Sequence, residues 1–169
     1  GFFVKANAAS TLDLDNSTRV HSGPSFYKDE PDFSNNTLLI KVSGNDITTQ
    51  TGIRFLEGAT TGHDSHLDVI KFLSGKPEVP KLYSITPEEI YAINSLPAFQ
   101  GNEAIPLGFE AGIPGDYELD FGGIETFNAA VWLEDLKLQQ LTPIDGQQTY
   151  DFSFEFGDDI HRFNIIFGM

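Results

Sequence analysis

Glu57, Asp64 and Asp68 lie in one irregular, polar stretch, Glu57-Gly58-Ala59-Thr60-Thr61-Gly62-His63-Asp64-Ser65-His66-Leu67-Asp68, which has neither helical nor strand periodicity. Carboxylates at this spacing in a loop suit Ca²⁺, a hard cation that takes about six to eight oxygen ligands at about 2.3–2.6 Å. The spacing is not that of an EF-hand. The competing reading is that the two aspartates accept hydrogen bonds from loop N–H groups or pair with Arg54 or Arg162. His63 and His66 form a bare H-x-x-H, which without a helix or a cysteine is a weak transition-metal signal. Calcium is therefore the one cofactor these residues point to, with Glu57, Asp64 and Asp68 as its ligands.

Glu134 and Asp135 follow Trp132 and Leu133 in an apolar run. Glycoside hydrolysis needs two opposed carboxyls about 5–9 Å apart, whereas neighbours on a strand point to opposite faces. One of the pair must then point inward. An inward charge costs several kcal/mol unless it is paired, so a structural ion pair between Asp135 and Arg162 is expected. The chain has no G-x-S-x-G elbow and no phosphate-cradling glycine loop, and His21, His63, His66 and His161 have no evident serine and aspartate companions. A non-enzymatic protein is the expectation. Sugar contact needs exposed planar aromatics beside amide and carboxyl groups. Tyr27 and Phe99 sit in loop-like contexts that suit this, while Trp132, in its apolar strand, is assigned to the core.

The elements that must position these residues read as strands. Tyr150, Phe152, Phe154 and Phe156 alternate with Asp151, Ser153 and Glu155, the period of two that a half-buried strand requires. Thr37–Ser43, the Gly44-Asn45-Asp46 turn and Thr48–Leu56 form a hairpin pattern. Leu82–Ile85, Tyr91–Asn94, Ala104–Phe109, Tyr117–Phe121, Val131–Asp135 and Arg162–Phe167 continue the series, with Phe2–Ala6 and Thr18–His21 at the start. Pro106 argues for an edge position or a strand start. Thr86-Pro87-Glu88-Glu89 leaves room for a single helical turn at 87 to 90. The pattern predicts an all-β fold, an antiparallel β-sandwich of jelly-roll or immunoglobulin-like type with at most one short helical turn, as one module over residues 1–169.

With 169 residues, 15 Phe, no cysteine and a formal charge of −15, the chain is a globular core-former whose surface repels phosphate backbones and anionic lipid headgroups. Nucleic acid and direct membrane insertion are not expected.

Read in order, Gly1-Phe2-Phe3-Val4-Lys5-Ala6, Arg19-Val20-His21, Gly58-Ala59-Thr60 leading to Asp64 and Asp68, Leu82-Tyr83-Ser84, Ala92-Ile93-Asn94, Pro106-Leu107-Gly108-Phe109, Trp132-Leu133-Glu134-Asp135 and Arg162-Phe163 resemble a known module. It is the β-rich module that precedes the C-terminal sorting domain in secreted and cell-surface Bacteroidetes proteins exported by the type IX secretion system. The resemblance covers nearly the whole chain. It implies a fragment of a larger exported protein, an extracellular or outer-surface location, and a role in adhesion, glycan contact or domain spacing. Glycans or neighbouring surface proteins would be its partners. Because Gly1-Phe2-Phe3-Val4 begins in the middle of a strand pattern, self-association through an edge strand, giving filaments or oligomers, is the alternative expectation.

Overall fold

The computed structural model describes residues 8–9, 11–13, 15, 36–99, 101, 103–145 and 149–168. The chain divides into two compact units, Gly1–Asp32 and Phe33–Met169. The strand patterns at Phe2–Ala6 and Thr18–His21 lie outside the described residues.

The second unit is all-β. Its strands are β1 (Thr37–Gly44), β2 (Ile47–Phe55), β3 (Val69–Ile70), β4 (Lys81–Ile85), β5 (Ile90–Leu96), β6 (Glu103–Glu110), β7 (Gly115–Gly122), β8 (Val131–Asp135), β9 (Gln140–Ile144), β10 (Tyr150–Phe154) and β11 (His161–Phe167). The β1–β2 hairpin closes through Asn45 and Asp46, both with positive φ (54° and 59°), the backbone that matches the twist of a two-residue hairpin. The strands join into one sheet in the order β10-β7-β1-β2-β5-β4-β6-β11-β8-β9, and β3 pairs with β5.

The expectation of a purely antiparallel arrangement is corrected here. β2 and β5 run parallel, Gly52 opposite Ile93 and Phe55 opposite Leu96. Between them the chain makes the excursion through the 57–68 loop, β3 and β4. Thr51 Oγ1 helps to fasten the parallel seam by donating to Tyr91 O at 3.1 Å.

The sheet curls into a half-barrel around a single core. Leu38, Ile40, Leu107, Leu119, Phe163 and Ile165 are buried on its inner face. Phe152 of β10, one end of the strand order, packs edge-on against Phe109 of β6 (4.9 Å between centroids) and Phe163 of β11 (5.0 Å). Strands distant in the hydrogen-bonded order thus meet across the interior, which is what curling accomplishes.

Four local expectations change. Pro106 lies in β6, which has β4 on one side and β11 on the other. The β4 ladder spans only Leu107 to Glu110, so at Pro106 the strand is locally an edge and the missing N–H leaves no gap in that ladder. No helical turn forms at 87–90. Instead Glu89 N donates to Thr86 Oγ1 (3.2 Å) and Thr86 N to Glu89 O (3.0 Å), closing the β4–β5 hairpin, and a 3₁₀ turn occupies Ile124–Thr126. Phe156 is not on the inner face. β10 ends at Phe154, and Phe156 falls in the turn at Gly157 (φ 96°), 70% exposed. Trp132 leaves the core, because β8 turns Val131, Leu133 and Asp135 inward and Trp132 and Glu134 outward.

Candidate functional site

The 57–68 loop is held by its own aspartates. Asp64 Oδ2 accepts from Thr60 N (2.6 Å) and Thr60 Oγ1 (3.0 Å). Asp68, buried, takes Asp64 N on Oδ2 and Ser95 N on Oδ1, both at 2.7 Å. These bonds lock the loop onto β5. Arg54 does not pair with either aspartate. Its Nε donates to Ser95 Oγ (2.8 Å) and its Nη2 to Leu67 O, while Ser95 Oγ donates to the same carbonyl (2.8 Å). His63 stacks on Tyr91 with its Nδ1 3.8 Å from Asp68 Oδ2. Burial, with the Asp68 charge second, pushes the Tyr91 phenol up. Glu57 and His66 are exposed. Three of the four Asp64 and Asp68 oxygens are thus engaged by N–H donors that a cation would have to displace. Among the described residues no group of three His, Cys, Asp or Glu side chains is placed to hold a metal ion.

Asp135 and Arg162 come together where β8 ends beside the start of β11. Arg162 Nη2 lies 2.9 Å from Asp135 Oδ2 and Nε 3.3 Å from both carboxylate oxygens, with the two side chains 2% and 1% exposed. Arg162 Nη1 donates to Ser153 O (2.6 Å), and the guanidinium lies over the rings of Phe152 (4.8 Å) and Phe163 (5.1 Å). Asp135 also accepts from Lys137 N (2.9 Å), Leu138 N (3.2 Å) and the Tyr150 hydroxyl (3.0 Å). A buried pair is stable only when its remaining donors and acceptors are satisfied, and here the ends of β8, β10 and β11 supply them. Burial, the hydrogen bond to Asp135 and its charge push the Tyr150 phenol up to about 12. Asp158 joins the network through Lys137 Nζ (2.8 Å) and Glu155 N (3.0 Å). Burial pushes its carboxyl up, but those two hydrogen bonds and the Lys137 and Arg162 charges together hold it below the ordinary value.

On the outer face, β8 presents Trp132 and Glu134 beside β11. Asn164 Nδ2 donates to Glu134 Oε2 (2.7 Å), and Asn164 Oδ1 lies 2.7 Å from His161 Nε2. Pro143 stands opposite Trp132 on one side and Ile166 on the other. The indole is half-buried, and its Nε1 is buried without a hydrogen-bond partner. The sequence hides this cluster, because Trp132 and Leu133 look alike in an apolar run. Only the inward demand of Asp135 fixes the alternation, and it was available as a signal. Phe99 is half-buried, its ring edge-on to Phe55 at 5.4 Å, and packs against the core. Tyr27 lies outside the described residues.

Fold and site together define a curled β-sheet module whose loops are fastened by buried charge networks and whose outer face carries an aromatic-polar cluster. The chain belongs to the family described as a domain of unknown function (DUF8693), whose model matches residues 1–167. No curated protein matches the chain, and no solved structure does. Among the described residues no helix is long and apolar enough to cross a membrane.

Proposed function

We propose that the chain is a non-catalytic contact module of a larger exported protein, working at the extracellular or outer cell surface, and that the contact is with glycan at the outer face of β8 and β11. The observation that carries this reading is the outward turn of Trp132 beside the Glu134–Asn164–His161 row. A planar indole packs on the C–H face of a pyranose, and an amide, a carboxylate and an imidazole already held in register can bond its hydroxyls without further ordering. Glu134 and Asp135 face opposite sides of the sheet, which favours binding over a two-carboxylate hydrolysis. The curled sheet is read as a variant of the jelly-roll or immunoglobulin-like sandwich, on the strength of the Phe152 contacts across its interior.

The test is binding of the chain to a panel of immobilised glycans. Trp132→Ala is expected to abolish the signal and Asn164→Ala to weaken it; a signal indifferent to both, or no signal with any glycan, removes the assignment. Calcium in the 57–68 loop remains a proposal of its own. It requires a thermal midpoint higher in millimolar Ca²⁺ than in EDTA, with the difference lost in Asp64→Ala and Asp68→Ala.

A second reading, assembly by strand addition, is favoured by the strand order, which ends on β9 and β10 with no further strand pairing beyond either among the described residues. Sedimentation that depends on protein concentration would support it, and a sharp monomer at high concentration would count against it.

A further inference from the structure

Two adjoining loops at one end of the sheet hold apolar side chains out in solvent. Leu136 and Leu138 in the β8–β9 loop are 39% and 55% exposed, and Phe156 and Ile160 in the β10–β11 loop are 70% and 48% exposed. The loops are tied together: Lys137 Nζ meets Asp158 Oδ2 at 2.8 Å, and Leu136 N donates to Arg162 O at 2.8 Å. Buried Arg162 anchors both loops through Asp135 and Ser153 O. A cleft of about 370 Å³ opens between them, walled by Leu136, Gly157, Asp159 and His161. These apolar groups are therefore displayed on a fixed frame, and exposed apolar clusters of this kind mark interaction surfaces.

The charge around the cluster selects the occupant. Glu155 and Asp159 are exposed at its rim, and the two cations that line the cleft, Lys137 and the buried Arg162, are already engaged by Asp158 and Asp135. A second copy of this chain would bring the same acidic rim and its own charge of −15, and an anionic lipid surface would be repelled in the same way. We infer that this end of the module docks a polypeptide segment that presents apolar side chains flanked by lysine or arginine. The surface adjoins the outer face of β8 and β11 at His161; peptide binding is read through Leu138, Phe156 and Ile160 and glycan binding through Trp132 and Asn164, so failure of one assignment is distinguishable from failure of the other.

The test uses three synthetic peptides of about 14 residues: one with leucine and lysine at amphipathic helical spacing, one with its leucines replaced by serine, and one with its lysines replaced by glutamate. Fluorescence anisotropy at about 150 mM salt compares the wild-type chain with Leu138→Ser/Phe156→Ser. Both side chains are exposed, so the variant should melt as the wild type does; Leu138→Gln/Ile160→Gln repeats the test if it does not. The Leu/Lys peptide is expected to bind, roughly tenfold or more tighter than either control peptide, and to lose roughly tenfold or more affinity for the double variant. Equal binding by the Ser/Lys peptide would show mere charge attraction and overturn the inference, as would affinity unchanged in the variants. A wild-type dimer that the double variant dissolves would assign the surface to a second copy and overturn it equally.

Discussion

At the scale of single residues, Arg162 carries the heaviest consequence. Its guanidinium is buried with bonds to Asp135 and Ser153 O, so removing it leaves Asp135 charged in a dry environment. Arg162→Met is expected to cost about 3–5 kcal/mol in urea unfolding. Arg162→Met/Asp135→Leu should recover part of that loss, because the buried charge is gone, and only part, because Lys137 N, Leu138 N and the Tyr150 hydroxyl lose their acceptor. A double variant as unstable as the two single losses added would show that the residues act through separate contacts. Asp158 gives the network its acid sensitivity. A carboxyl held below its ordinary value of 3.8 in the folded chain contributes stability that is present above that value and is lost as pH falls through the lower folded one. Between pH 7 and 3, the thermal midpoint of Asp158→Asn should therefore start lower than that of the wild type and fall less steeply. Parallel curves would remove Asp158 from the acid response.

At the scale of elements, the turn by which the chain leaves β7 for the 3₁₀ turn, packed against the start of β1, depends on one glycine. Gly123 has φ 84°, and a Cβ there would sit 2.1 Å from Thr37 O, whereas a Cβ on Gly122 would meet nothing within 4 Å. Gly123→Ala should cost about 1–3 kcal/mol from the left-handed backbone alone, before the clash is counted, and Gly122→Ala should cost well under that. Similar midpoints for the two variants would mean that the turn relaxes freely. The strands around this turn were legible because a period of two over Thr37–Ser43, Tyr117–Phe121 and Tyr150–Phe154 leaves little choice of face, and Asn45-Asp46 announces its own hairpin. The pairing of β2 with β5 was not legible, since parallel register depends on where a long excursion returns, and no local residue encodes that. β9 is not legible because it is only Gln140-Leu141-Thr142-Pro143-Ile144, five residues interrupted by a proline. The meeting of Asp135 with Arg162 followed from the cost of an inward charge; Lys137 with Asp158, both in loops, offered no such signal.

At the scale of the whole molecule, charge opposes the fold. Lys and Arg number 10 against 25 Asp and Glu, so beyond the local pairs a surplus of carboxylates repels itself across the surface. Several lie side by side on one outer face: Asp151 is directly opposite Glu118 across β10 and β7, with Asp116 two residues further along β7, and like charges facing each other across strands destabilise a sheet. Lys41 relieves only Asp120, at 3.5 Å with both groups well exposed, a contact worth little in water. The buried Arg162 pair is insulated from salt, whereas the surface repulsion is not, because the Debye length shortens from about 30 Å at 0.01 M to about 3 Å at 1 M. Raising sodium chloride over that range should therefore raise the thermal midpoint, with most of the gain below about 0.2 M, where screening changes fastest. Neutralising the facing pair with Asp151→Asn/Glu118→Gln should raise the midpoint at low salt and shrink its further rise. A midpoint that falls with salt would mean that attractive surface pairs outweigh the surplus, and that the acidic face is shaped by something other than tolerance of repulsion.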